Sequence, residues 1–540
     1  AGIRPLILLN VNDTIPGPST TFTATVTQPA VAGATSIQVD PTTATQLVPG
    51  LSGFNFPSGP SAGASFIATS VSSSGLVQLS QPLPAAISAG TYPGMTLRYQ
   101  PFAPPFTMTG AANPAFQQTL SGWLLYVKAV TAEATKVLGN DNFDVEVWNE
   151  LNFGSNFLSA ANYYNPVPAS LQGAGSVTNQ LLASTVQWIR NPANQLPDVG
   201  IGDGFANQTP FVSSSTVPAG VTAIDKHPYH EQPYQFPQAQ TFNGVRPVNA
   251  EGVPEGNDVS GSWHDSDIPS YMSYFPEYTL SGIQTEFMER DLSPIPSTFN
   301  GATHGRYQKP AGTTTPPHTW ITETNIDTTD ATGMTTADKW HMQAKATLRS
   351  LAAFVNKGVS ALYFYAVGDN SWSMVDPTVP GGGATMQAVK SFMAPFAGPA
   401  TFSTPRSLSL TQIADQGNWV QFPGDGTAAH PPLYNRDVVA FFPFQVNNTK
   451  FVVPTYVMTR NLDQLYNPSA PSTDVTRYDL SPENYRLTVG GLNTAYLSVT
   501  ATDPLTGSSV PVSVTVTSPT TAQLQVPLTD YPRLLVINDA

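Results

Sequence analysis

Apolar positions follow two periods over the first 400 residues and one period after them. Residues 3–10, Ile-Arg-Pro-Leu-Ile-Leu-Leu-Asn, form a continuous apolar run, the mark of a strand covered on both faces in a parallel sheet. Phe143, Val145 and Val147 alternate in a second strand, 143–148. Further strands are predicted at 198–204, 221–225, 319–323 and 359–367. Helical spacing lies between them. Leu120, Leu124, Val127, Val130, Ala134 and Val137 recur within 115–138, with Gly139 as the stop. A second helix is predicted over 177–191. In the third, 335–357, Trp340, Ala344, Leu348, Leu351, Ala352 and Val355 line one face and Gly358 ends it.

Two stretches break this alternation. From 19 to 103 short Thr-rich segments alternate between Gly, Pro and Ser, as in a small antiparallel β unit inserted into a loop. Its two readings are a structural or oligomer-contact insert and a glycan-binding module. From 231 to 316 the chain is rich in aromatics and proline, and an unstructured loop of that length is expected only where it serves a site. Beyond about 400 the helical period vanishes. Segments 407–412, 437–445, 451–458, 484–489, 494–502, 510–517 and 521–537 predict a β-sandwich.

The domain reading is therefore 1–18 and 104–400 as one α/β unit, 19–103 as its β-rich insertion, and 401–540 as the sandwich. Strands alternating with helices predict a (β/α)8 barrel of the TIM type, with its chemistry at the C-terminal ends of the strands. The pattern supplies six strands, and closing such a barrel takes two more.

Composition narrows the partners. The 540 residues carry a net charge of −14, only 11% are charged, and no basic cluster interrupts them, which argues against nucleic acid. No run is long enough to cross a membrane. The absence of cysteine excludes disulfides and Cys-based metal or redox sites. A weakly charged surface rich in Thr, Ser, Asn and Pro suits an extracellular, cell-surface or periplasmic protein. The first residues show neither an initiating Met nor a signal segment, so the numbering is expected to start at a processed or truncated end.

Candidate chemistry sits where the strands stop. Strand 143–148 runs into Trp148-Asn149-Glu150, and His318-Thr-Trp-Ile-Thr-Glu323-Thr-Asn325 delivers a second glutamate in the same way. Two carboxylates at strand exits are the equipment of retaining glycoside hydrolysis, one ionised and one protonated, ~5–5.5 Å apart across the anomeric carbon. Burial and like-charge repulsion raise one pKa and hold that proton. No metal or organic cofactor is called for. His227 and His230 stand at i and i+3 but have no third ligand in view. Glu286 and Glu289 read as solvated or subsite residues, and His341 as a structural one in its helix.

Trp148-Asn149-Glu150 resembles the Asn-Glu signature ending barrel strand 4 of clan A glycoside hydrolases, and Thr322-Glu323 resembles the nucleophile ending their strand 7. Residues 2–10 look like their third strand. With His227-Pro-Tyr229 at strand 6 and a sandwich behind the barrel, the chain is most similar to family 39, which holds β-xylosidases, α-L-iduronidases and exopolysaccharide hydrolases. The likeness covers roughly 1–18 and 104–400.

The resemblance implies Glu323 as nucleophile, Glu150 as acid/base, Asn149 on the sugar 2-hydroxyl, and Tyr229 donating to the nucleophile. It also implies that barrel strands 1 and 2 come from a separate or unobserved N-terminal polypeptide. His227 either binds a sugar hydroxyl or is a hydrogen-bonded core histidine, and Tyr229 has a second reading as a rim aromatic. Tyr365 and Trp372 suit the apolar face of a pyranose or a place in the core. Asn10 and Asn12 are candidate polar contacts. The expected activity is hydrolysis of an extracellular poly- or oligosaccharide through a glycosyl-enzyme. The alternatives are a catalytically inactive glycan-binding or structural protein on the same barrel, and a transglycosylase.

Overall fold

A computed structural model describes residues 4–10, 19–57, 66–98, 102–149, 151, 177–204, 218–227, 318–326, 335–356, 358–368, 371–414, 439–457 and 482–540, with backbone alone for 240–245, 259–263, 420–422 and 433–434. The fold is α/β. Six strands form one parallel sheet: β1 (Leu6–Leu9), β2 (Asp144–Val147), β3 (Gly200–Gly202), β4 (Ala223–Lys226), β5 (His318–Ile321) and β6 (Val359–Leu362), in that order. Three larger antiparallel sheets accompany it. These are the six strands that the apolar pattern predicts, and a closed eight-stranded barrel is not formed among the described residues. The chain divides into two compact units, one of residues 1–207, 211–226 and 305–318, the other of 208–210, 227–304 and 319–540.

In the first unit, Leu6 to Leu9 pair in register with Asp144 to Val147, and Asp144 to Glu146 pair with Gly200 to Gly202. Every residue of β2, β3 and β4 is buried, so Asp144 and Glu146 are enclosed as fully as Val145 and Val147. Alternation along β2 therefore separates two covered faces rather than a core face from a wet one. At the entry to these strands Arg4 Nε donates to Asp144 Oδ1 at 2.7 Å and Arg4 Nη2 to the Phe143 carbonyl at 3.0 Å, clamping β1 to β2.

Helix α1 (Pro114–Leu138) begins at Asn113, whose side chain accepts from the Ala115 amide, and has Pro114 in its first turn. It stops at Gly139, whose φ of 73° few residues with a Cβ adopt. Its buried stripe is Phe116, Thr119, Leu120, Trp123, Val127 and Thr131. Val137, assigned by spacing to the apolar face, is 72% exposed because it lies in the last turn, beyond the stripe that ends at Thr131. Helix α2 (Val177–Ile189) buries Leu181, Leu182, Val186 and Ile189.

The inserted strands Ser19–Val26, Ser36–Gln38, Ser52–Phe54, Phe66–Val71, Leu76–Leu79 and Gly90–Leu97 make one antiparallel sheet. Ala24, Val26, Ile37, Phe54, Phe56, Phe66 and Val77 form its core. Phe56 stands at the centre of that core, with ring centroids 5.6 Å from Phe54, 5.3 Å from Phe66 and 5.0 Å from Tyr92.

In the second unit β5 and β6 run parallel, flanked by helix α3 (Thr336–Asn356) and followed by helix α4 (Gly383–Met393), which the periodicity did not single out. The strand expected over 359–367 ends at Leu362. Beyond it the backbone bonds of Tyr365 and Ala366 go to the Thr324 and Trp372 carbonyls and not to a neighbouring strand. The long stretch from 231 to 316 is not wholly irregular, since Gln240–Val245 and Val259–Trp263 pair antiparallel. The C-terminal strands form a four-stranded and a six-stranded antiparallel sheet, and Leu487, Val489, Leu524 and Val526 of one share a core with Phe451, Val453, Leu535 and Ile537 of the other.

That core takes in Ala344, Leu348, Ala352 and Ala353 of α3, while Val355 stays 41% exposed at the helix end. The polar side of α3 is buried as well. Lys345 and Asp530, both fully enclosed, pair at 2.6 Å, and Arg349 donates to the Asp530 carbonyl at 3.1 Å. The Arg349 guanidinium lies 5.2 Å from the centre of the Tyr456 ring. An enclosed carboxylate that loses its cation costs about 3–5 kcal/mol, whereas replacing both partners with apolar groups of similar volume is far cheaper. Lys345→Met is therefore expected to lower stability by about 3–5 kcal/mol in denaturant titration, and Lys345→Met with Asp530→Leu to recover most of it.

Candidate functional site

The first unit brings three strand exits together. At the end of β1, Asn10 follows Leu9, and its carbonyl accepts from the Tyr126 hydroxyl of α1 at 3.0 Å. Burial pushes the Tyr126 hydroxyl pKa up, and the bond to Asn10 opposes that shift. At the end of β2 the Trp148 amide donates to the Leu9 carbonyl at 2.9 Å, after which the backbone turns sharply. Trp148 has φ of 69°, a left-handed conformation that costs a residue with a side chain about 1–3 kcal/mol and is retained mainly where it serves a site. Its fully buried indole packs on Trp123, ring centroids 5.3 Å apart. The Leu151 amide then donates to the Gly204 carbonyl at 2.7 Å, tying the β2 exit to the β3 exit. Gly204 has φ of 68°, and a Cβ there would fall 1.8 Å from the Val147 carbonyl oxygen, so the two exits can approach only with glycine at this position.

Three buried polar atoms of this region have no hydrogen-bond partner among the described residues: Asn10 Oδ1, Trp148 Nε1 and Asn149 Oδ1. Leaving such an atom unsatisfied costs about 1–3 kcal/mol, so water or a polar ligand is favoured beside each of the three. Asn10 and Asn149 are two of the residues that the sequence singles out. Glu150, Asn12 and Tyr229 lie outside the described residues.

Just inside these exits is a group that sequence reasoning missed. Glu146, Asp203, Asp225 and Lys226 are all buried. The Asp225 amide donates to Asp203 Oδ1 at 3.1 Å, and the Gly204 amide donates to Asp225 Oδ2 at 2.9 Å. A Cβ on Gly202 would sit 2.1 Å from Asp225 Oδ2, so that glycine makes room for the carboxyl. Burial first, then the charges of Glu146 and Asp203, raise the Asp225 pKa well above its ordinary value. Burial lowers the Lys226 ammonium to about 8, against the pull of Asp203 and Asp225. Asp203 and Asp225 were visible as the polar residues ending strands 198–204 and 221–225, the same signal that picked out Glu150 and Glu323.

In the second unit Glu323 stands two residues beyond β5 with its side chain 20% exposed. The fully buried His227 ring lies against it, Nδ1 at 3.7 Å from Glu323 Oε2 and Nε2 at 3.0 Å from Thr322 Oγ1. Asn325 is a second residue the sequence did not mark. Its amide donates to the Trp372 carbonyl at 2.6 Å and its Oδ1 accepts from the Ile326 amide at 2.9 Å. Trp372 is half-buried, and Tyr365, 44% exposed, bonds through its amide to the Thr324 carbonyl at 3.1 Å. Thus His227 lies against Glu323, while Tyr365 and Trp372 are bonded to the next two residues, Thr324 and Asn325.

Among the described residues no group of three or more His, Asp or Glu is disposed to hold a metal ion, and no helix is long and apolar enough to cross a membrane. Neither protein-family models nor curated proteins match this chain.

The raised Asp225 pKa has a signed consequence for stability. Its folded value exceeds its unfolded value of ~3.9, so between the two the unfolded chain has released a proton that the folded chain still holds. This group's contribution is complete below the unfolded pKa and declines as pH rises toward the folded one. Lys226, with a folded value of about 8 and an unfolded value of ~10.4, is protonated in both states below neutrality and adds no slope there. Thermal unfolding of Asp225→Asn between about pH 5 and 7 is therefore expected to fall less with rising pH than that of the unaltered protein. An identical slope in the two proteins would mean that Asp225 is ionised.

Proposed function

We propose that this chain is a retaining glycoside hydrolase of the clan A type, akin to family 39, cleaving an extracellular poly- or oligosaccharide. The observation that carries the reading is Glu323: a partly exposed carboxylate at the exit of a parallel strand, with the ring of a fully buried histidine beside it. The unpartnered buried amide oxygens of Asn10 and Asn149 support it, since a sugar offers the hydroxyl donors that these oxygens lack.

In this reading Glu323 attacks the anomeric carbon while Glu150 protonates the departing glycosidic oxygen, giving a glycosyl-enzyme and a free leaving group. Glu150, now a carboxylate, takes a proton from water, and the resulting hydroxide equivalent displaces Glu323 and restores both groups. Glu323 must be ionised and correctly aimed at the first step. With its hydrogen on Nδ1, His227 presents a positive edge to Glu323 Oε2, while its Nε2 accepts from the Thr322 hydroxyl and fixes the ring. Asn149 hydrogen-bonds the sugar 2-hydroxyl, a contact that strengthens as the oxocarbenium ion develops. Asn10 and Asn12 add polar contacts. Tyr365 and Trp372 border the sugar, and Tyr229 donates to the nucleophile.

Kinetics on aryl glycosides test the roles. Glu323→Ala is expected to abolish turnover of every substrate. Glu150→Ala is expected to slow substrates with poor leaving groups by about 10²–10⁴-fold and to spare those with good ones, which need no protonation. Equal losses on the two substrate types would count against the assignment.

A further inference from the structure

The inserted sheet has an inner face and an outer face, and only the inner one is spent on its core. Ala24, Val26 and Phe54 point inward. Thr21, paired with Met95, and Thr23, paired with Pro93, lie on the other side, with Gly53 next to Met95. The Asn55 amide continues this row by donating to the Pro93 carbonyl at 2.9 Å. A cavity of about 590 Å³ opens here, lined by Thr21, Thr23, Asn55, Thr91, Pro93 and Met95 among others. That volume is within the ~300–1,000 Å³ typical of small-molecule sites.

Its chemistry selects a ligand class. The hydroxyls of Thr21, Thr23 and Thr91 and the side-chain amide of Asn55 make no hydrogen bond among the described residues. They stand beside the apolar surfaces of Pro93 and Met95. From residue 19 to residue 98 the only charged side chains are Asp40 and Arg98, and neither lines the cavity. A phosphate, a carboxylate or a cation would find no counter-charge. A neutral ligand alternating hydroxyls with C–H faces would find both of its needs met.

We infer that this face of the insert is a binding site for a neutral saccharide chain, separate from the residues assigned to catalysis. The choice of a saccharide over other neutral ligands rests on the glycosidase reading, and the experiment lets either fail alone. Full-length Glu323→Gln, in which the nucleophile is removed, is applied to an array of neutral and acidic oligosaccharides, alongside Glu323→Gln with Thr23→Ala and Asn55→Ala. These two positions lie at a sheet surface outside the core, and a matching melting temperature checks that the second protein is folded.

Binding of neutral glycans that falls about tenfold or more on losing the two polar groups is the expected result. Binding confined to acidic glycans, no binding, or binding indifferent to Thr23 and Asn55 would overturn the inference. So would sedimentation of a dimer that the same pair of substitutions dissociates, because the face would then be occupied by a second copy. In the otherwise unaltered enzyme, Thr23→Ala with Asn55→Ala is expected to leave hydrolysis of a small aryl glycoside unchanged. Array binding that survives while Glu323→Ala has no effect on glycoside cleavage would sink the catalytic reading and leave this one standing.

Discussion

Enclosure of the three strands β2, β3 and β4 on both faces is the constraint from which the rest follows. Every residue of Asp144–Val147, Gly200–Gly202 and Ala223–Lys226 is buried, so a polar group on these strands has only two fates. It is neutralised or partnered where it stands, as Asp144 is by Arg4, or it sits at an exit where the ladder stops. The exits are shaped by close backbone approach. Gly204 admits the Val147 carbonyl, Gly202 admits the Asp225 carboxyl, and Trp148 adopts the left-handed turn that starts the Asn149-Glu150 segment. The left-handed Trp148 holds its indole completely buried against Trp123.

The molecule buries charge in two ways. Below the first unit's exits, Glu146, Asp203 and Asp225 are buried near one lysine, and burial together with the two neighbouring carboxylates raises the Asp225 pKa. In the second unit, Lys345 and Arg349 of α3 are matched to Asp530 directly, and the aliphatic side of the same helix joins the core of the C-terminal sheets. The first arrangement makes the strand ends sensitive to pH. The second specifies how α3 sits on those sheets, because a register shift would leave an enclosed cation unpaired.

Function, in the reading proposed here, depends on the same economy of exits. Glu323 is reachable yet backed by a fully buried imidazole, whose other nitrogen is engaged by Thr322. That arrangement places a buried ring beside the carboxylate, which in this reading helps to aim the nucleophile. Asn325, through Trp372, connects the same exit to the loop after β6.

Much of this was legible in the chain. Apolar patterning located all six parallel strands, though the last ends at Leu362, five residues short of the predicted Val367, and Gly139 marked the end of α1, because these signals depend on close neighbours in sequence. Polar residues at strand exits determined Glu323 and Asn149 as candidates, since exit position is itself a local property. Tertiary structure decided what lies on the far side of each element. It alone made Lys345 and Arg349 core residues, because Asp530 approaches from a strand end far along the chain. It alone exposed Val137, set Asn325 against Trp372 and raised the Asp225 pKa. Periodicity records which face of an element is apolar, whereas the partner of a polar group and the dielectric around it are set by residues distant in sequence.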